Sequence, residues 1–92
     1  MKKIYKYGLP MEDYAPIAMP VGAIVLSVGV QHGTPVVWAL VNPNAPMECR
    51  TLRVAGTGHP IEEPERWEFI GTFQLDNGNL IFHVFDRKGG KG

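Results

Sequence analysis

Trp67-Glu68-Phe69-Ile70-Gly71-Thr72-Phe73-Gln74-Leu75, then Asp76-Asn77-Gly78-Asn79, then Leu80-Ile81-Phe82-His83-Val84-Phe85 is the stretch that decides the fold class. Two alternating runs rich in aromatic and β-branched residues flank an Asn-Gly pair, the strongest short-range hairpin signal. A two-residue type I′ turn needs φ > 0 at both central positions, and Asn and Gly tolerate it. With Asn77 and Gly78 at the tip, Leu75 faces Leu80, Phe73 faces Phe82 and Gly71 faces Val84. All six then share one side, and His83 lies opposite Thr72 on the other. A slip of one residue would mix the faces.

Upstream, Ala23 to Gln31 and Thr34 to Val41 read as a second hairpin around His32-Gly33. An uninterrupted register there sets Val28 against Val37, Ser27 against Trp38, Leu26 against Ala39 and Val25 against Leu40. Both faces of this hairpin are then largely apolar and need cover from another sheet or a partner chain. Val25, Trp38 and Leu40 are the interface candidates, and a homo-dimer or higher oligomer is expected.

The remaining segments are short. Lys2 to Tyr7 alternates and stops at Gly8-Leu9-Pro10. Ile17-Ala18-Met19 suits a short edge strand, where its flanking prolines are tolerated. Asn42-Pro43-Asn44-Ala45-Pro46 is a turn cluster. Glu48 to Ala55 alternates, with Leu52 and Val54 inward and Thr51, Arg53 and Ala55 outward. Glu62 to Arg66 is a charged connector with room for one helical turn. No segment keeps a 3.6-residue period over ten positions. The expectation is an all-β domain: a small antiparallel sandwich or partly closed barrel of about six strands built from hairpins. It spans residues 1–88, with 89–92 as a flexible C-terminal tail.

Composition narrows the function classes. The 92 residues carry nine Lys and Arg and nine Asp and Glu. The formal net charge is zero, so no overall field draws the chain to nucleic acid or an anionic membrane. Cys49 is the single cysteine and cannot form an internal disulfide, which points to a reducing compartment. Met1-Lys2-Lys3 starts as a signal peptide does, but no apolar h-region follows. The apolar run Val21–Val30 is too short for a bilayer.

Gly56-Thr57-Gly58-His59-Pro60 is the best local ligand candidate. Its glycines let backbone N–H groups approach a ligand, and Thr57 and His59 add a hydroxyl and an imidazole. It lacks a Walker lysine. Arg50 and Arg53 supply planar guanidinium forks suited to phosphate, and with Arg66, Lys2, Lys3, Lys6 and an exposed Trp38 or Trp67 they could hold a nucleotide-like ligand. Core packing is the ordinary role for both tryptophans. His32, His59, His83 and Cys49 lack paired zinc spacing, so no metal or other cofactor is expected. Ser27 reads as a packed mid-strand residue and Cys49 as a partly buried side chain without a base. No catalytic residue is named, and enzyme activity is not expected.

Five blocks carry a resemblance: Ile4-Tyr5-Lys6-Tyr7; Met19-Pro20; Val37-Trp38-Ala39-Leu40-Val41; Gly56-Thr57-Gly58-His59-Pro60; and Ile70-Gly71-Thr72-Phe73 with His83-Val84-Phe85. In their order and spacing the chain resembles short phage- and prophage-encoded proteins of unassigned function. The resemblance implies an accessory protein made in the host cytoplasm. The leading expectation is a binding protein that acts by occupancy on a host protein, for instance a defence complex. The alternatives are a sponge for a nucleotide-like signalling ligand and a virion or assembly component. Neither sequence-specific nucleic acid nor a membrane is expected as a partner.

Overall fold

The computed structural model describes residues 1–89. Its strands are β1 (Lys3–Gly8), β2 (Tyr14–Pro20), β3 (Ile24–Gln31), β4 (Thr34–Val41), β5 (Met47–Gly56), β6 (Trp67–Leu75) and β7 (Leu80–Arg87), with 3₁₀ turns at Pro64–Arg66 and Asp76–Gly78. They form a three-stranded sheet, order β1-β4-β3, and a four-stranded sheet, order β2-β5-β7-β6. Every pairing is antiparallel. The architecture is a two-layer sandwich, not a closed barrel. Its strands number seven, because the prolines of the 14–20 segment confine it to a sheet edge without shortening it. Among the described residues no helix is long and apolar enough to cross a membrane. The expected tail lies mostly outside the described residues.

The two hairpins stand where the Asn-Gly and His-Gly pairs put them. Asn77 (φ 53°) and Gly78 (φ 87°) form the tip of β6–β7, closed by Asn79 N–H donating to the Asp76 carbonyl at 3.0 Å. Leu75–Leu80, Phe73–Phe82 and Gly71–Val84 pair as the alternation requires. His32 (φ 52°) and Gly33 (φ 77°) play the same part in β3–β4.

Two β-bulges depart from that simple reading. In β3 the register shifts between Val25 and Ser27, with Leu26 as the extra residue. Val25 therefore pairs with Ala39 and faces the core, while Ile24 pairs with Leu40 on the outer face. The expected Leu26–Ala39 and Val25–Leu40 pairs are corrected accordingly. In β6 a second shift falls between Phe69 and Gly71, with Ile70 as the extra residue. A bulge keeps both faces in phase across an inserted residue, which alternation alone does not count.

The core lies between the sheets: Val25 from β3 and Val37, Ala39 and Val41 from β4 on one side, with Ala15, Ile17 and Met19 from β2, Leu52 and Val54 from β5, Phe73 from β6 and Val84 from β7 opposite. β3 and β6 approach closely at Gly71, where a β-carbon would stand 2.9 Å from Val28 Cγ1. Only a residue without a side chain lets the edges meet there.

One ion pair is built into this core. Arg50 is fully buried; its Nη1 lies 2.9 Å from Asp86 Oδ2 and its Nη2 donates to the Ala23 carbonyl at 2.7 Å. The side chain thus runs from β5 to β7 and on to the residue preceding β3, tying the layers together. Burial pushes the Asp86 carboxyl up from its ordinary value, and the neighbouring Arg50 guanidinium pulls it back. Arg50 is not part of a surface anion patch, which corrects its expected role.

Candidate functional site

The outer face of the four-stranded sheet carries the densest set of chemically able side chains. Register fixes which residues share it. Tyr14 pairs with Arg53, Arg53 with Phe85, and Phe85 with Phe69, so one row crosses all four strands. Trp67 pairs with Arg87 in the next row, and Ala55, His83 and Thr72 form the row on the other side.

The aromatic rings meet across this face. Tyr14 and Trp67 have centroids 6.2 Å apart, and Phe69 meets Phe85 edge-on at 5.6 Å. The Arg53 guanidinium carbon stands 5.1 Å from the Tyr14 centroid, and that of Arg87 stands 5.6 Å from Trp67. The result is a string Arg53–Tyr14–Trp67–Arg87 of cation–π and ring–ring contacts. Phe69 and Tyr14 remain 57% and 49% exposed. Arg66 joins the Trp67 end, because its carbonyl accepts the Lys88 N–H at 2.9 Å. Glu63 Oε1 lies 3.6 Å from Arg66 Nε.

The 56–60 loop folds against the far side of the same face. His59 N–H donates to the Gly56 carbonyl at 3.1 Å, closing a turn with Gly58 at φ 89°. A φ > 0 residue in that third position marks a type II turn. Arg53 is largely buried under this loop. It donates to the carbonyls of Asp13 and Pro60, each at 3.1 Å, and to its neighbour Val54. Its Nε is buried without a hydrogen-bond partner. His83 is held at both ring nitrogens by hydroxyls: Thr57 Oγ1 at 2.7 Å from Nε2 and Thr72 Oγ1 at 2.9 Å from Nδ1. Clefts of about 310, 290 and 200 Å³ border the loop, and His59 lines all three.

Of the expected ligand residues, Gly56, Thr57, Gly58, His59 and Arg53 are brought together, whereas Arg50 lies in the core. Arg53 works as the loop's anchor: three carbonyls already occupy its guanidinium. Asp13 and Glu62 share the 310 Å³ cleft with it. These carboxylates oppose an anion at that spot. Cys49 and Ser27 are exposed, not packed. Among the described residues no three His, Cys, Asp or Glu side chains gather into a metal-holding group.

The outer face of the three-stranded sheet is different in kind. Ile4 pairs with Leu40 and Leu40 with Ile24; Lys6 pairs with Trp38 and Trp38 with Ser27 beside the bulged Leu26. Ile4, Ile24 and Leu26 are 60, 52 and 46% exposed, and Trp38 and Leu40 are half-buried. The Trp38 ring lies against the Gly29 backbone, where a β-carbon would come within 3.2 Å of it. Trp38 and Leu40 thus sit on an available surface, whereas Val25 does not. The bulge exchanges Val25 for Ile24 and Leu26.

Tyr14, Phe69, Phe85 and Arg87 are site residues that local motif reading missed. Alternation signals Phe85 and Arg87, which it puts on the side opposite Phe82 and Val84; Phe69 has the parity of Phe73 and reaches the outer face only through the bulge at Ile70.

No curated protein and no solved structure matches the chain. A family described as a domain of unknown function, DUF7352, matches residues 1–91. The chain belongs to that family.

Proposed function

We propose that this is a binding protein that acts by occupancy, docking another protein on the outer face of its three-stranded sheet. The observation that carries this reading is the exposed apolar patch of Ile4, Ile24, Leu26, Trp38 and Leu40. Exposed large apolar side chains gathered on one face favour association, because water is released when they are covered.

Charge specifies the occupant further. β1, β3 and β4 contain no carboxylate, and their only charges are Lys3 and Lys6 of β1; Lys2 precedes β1. All nine carboxylates of the chain lie elsewhere. A second copy presents the same lysines with nothing on that face to neutralise them. A foreign surface with carboxylates around an apolar centre fits better. The phage setting is supported by the resemblance described above, and a host defence complex is one example of a partner in that setting.

The test is affinity capture from host lysate with wild type and Leu26→Asp side by side. Leu26 is exposed, so the variant folds, which circular dichroism checks. A stoichiometric partner recovered by wild type and lost by the variant supports the reading. No partner above background, or equal recovery by both, refutes it.

A further inference from the structure

The platform on the opposite sheet points to a second, independent activity. We propose that Tyr14, Trp67 and Phe69 form a stacking surface for a nucleobase, with the phosphate attached to it held by Arg87.

Three observations converge on this class. The first is exposure of aromatic rings: those of Tyr14 on β2 and Trp67 on β6 meet over the sheet, and Phe69 and Tyr14 keep about half their surface in solvent. Aromatic side chains standing on an open sheet face are the usual support for unstacked bases. The second is the cationic corner at the Trp67 end of the strip. Arg87 pairs with Trp67, and its guanidinium carbon stands 5.6 Å from the indole ring. Arg87 and Lys88 are exposed, and Arg66 is 59% exposed. Glu63 pairs with Arg66, while Arg87 has no carboxylate partner among the described residues and is left for a phosphate. The third is polarity along the face: the carboxylates Asp13 and Glu62 lie at the other end with Tyr14 and the 310 Å³ cleft. A ligand with a flat ring and one anionic end is therefore oriented, phosphate toward Arg87 and base toward Tyr14 and Phe69. Free nucleotides and single-stranded nucleic acid share this chemistry. Zero net charge confines the attraction to the corner.

The two tryptophans report on opposite outer faces, so one sample contains both the sensor and its control. Indole N–H signals are followed by ¹H–¹⁵N NMR on wild-type protein, assigned with Trp38→Phe. The probes are adenosine monophosphate, a ten-nucleotide oligothymidylate and inorganic phosphate. The expected result is a saturable shift of Trp67 with a base-bearing probe, while Trp38 stays still. Phe69→Ala should then weaken binding roughly 5- to 150-fold, the range of one lost base–aromatic stack. Arg87→Ala should weaken it and flatten its salt dependence. Equal binding of nucleotide and oligonucleotide identifies a small ligand, and preference for the oligonucleotide identifies a strand; either supports the proposal. Inorganic phosphate acting as well as nucleotide, no saturable shift at millimolar probe, or an unweakened Phe69→Ala overturns it. Both variants alter exposed side chains, and their melting curves confirm that they fold.

Discussion

Arg50→Met is the perturbation that interrogates the sandwich most sharply. In the native chain the guanidinium is fully buried and bonded to Asp86 and the Ala23 carbonyl. Glu48, the other nearby carboxylate, stands 3.9 Å from it with a third of its side chain in solvent. Methionine fills a similar volume without the charge, so Asp86, itself 5% exposed, is left with the Arg87 N–H. Removing one partner of a buried pair costs about 3–5 kcal/mol. A domain of this size has about 9 kcal/mol in total at ~0.1 kcal/mol per residue. The midpoint of thermal unfolding should fall by about 12–40 °C, at 4–8 °C per kcal/mol.

The pH dependence separates a stranded carboxylate from a simple packing defect. Burial already raises Asp86 above its ordinary value, with Arg50 opposing; losing Arg50 raises it further. An acid whose value is raised by folding favours the folded state while protonated, below its unfolded value near 4. That contribution is lost as pH rises through the folded value, at about 1.4 kcal/mol for each pH unit that separates the folded and unfolded values. The deficit of Arg50→Met relative to wild type should therefore be largest at pH 7 and shrink toward pH 4. Urea unfolding followed by tryptophan fluorescence at both pH values measures it. Arg50→Met with Asp86→Leu should recover most of the loss, because a matched apolar pair replaces a buried ion pair at little cost. A single variant within about 1 kcal/mol of wild type at pH 7 would refute the reasoning. So would a deficit independent of pH.

Three further outcomes follow from the packing. Val25→Ala should cost about 2 kcal/mol for its two lost methyl groups and the void, and Leu26→Ala within about 0.5 kcal/mol; the opposite order in urea unfolding would mean that β3 has no bulge. Gly71→Ala should cost about 1–3 kcal/mol by overpacking against Val28, and Val28→Ala in the same chain should relieve part of it; additive losses would contradict the close approach. Gly33→Val should cost about 1–2 kcal/mol, because a branched residue is forced to φ 77° at the β3–β4 tip; an unchanged midpoint in thermal unfolding would count against that turn.

The sequence and the structure agree where one residue type answers one geometric demand. Asn77-Gly78 marks its hairpin because consecutive left-handed positions, which the structure extends back to Asp76, leave few choices. Alternation then carried the register from Leu75–Leu80 to Gly71–Val84. It failed at Ile70 and Leu26, since nothing local to either residue announces an inserted position. Arg50 was legible and was misread. It has the parity of Leu52 and Val54, and Asp86 has that of Val84, so alternation already pointed both inward. The loop at Gly56–Pro60 was found by its glycines, but its anchoring by Arg53 depends on carbonyls at Asp13 and Pro60, far apart in the chain. The meeting of Tyr14 with Trp67 joins opposite edges of a sheet whose strand order no local pattern encodes.

Site-specific photocrosslinking tests most directly whether the three-stranded sheet's outer face is the docking surface. A photoreactive phenylalanine analogue is placed at Leu26, or at the exposed Ala18 on β2 of the other sheet, and host lysate is irradiated with each protein. A discrete protein adduct from position 26 and none from position 18 is the expected result. No adduct from position 26, or the same adduct from both, would contradict the account.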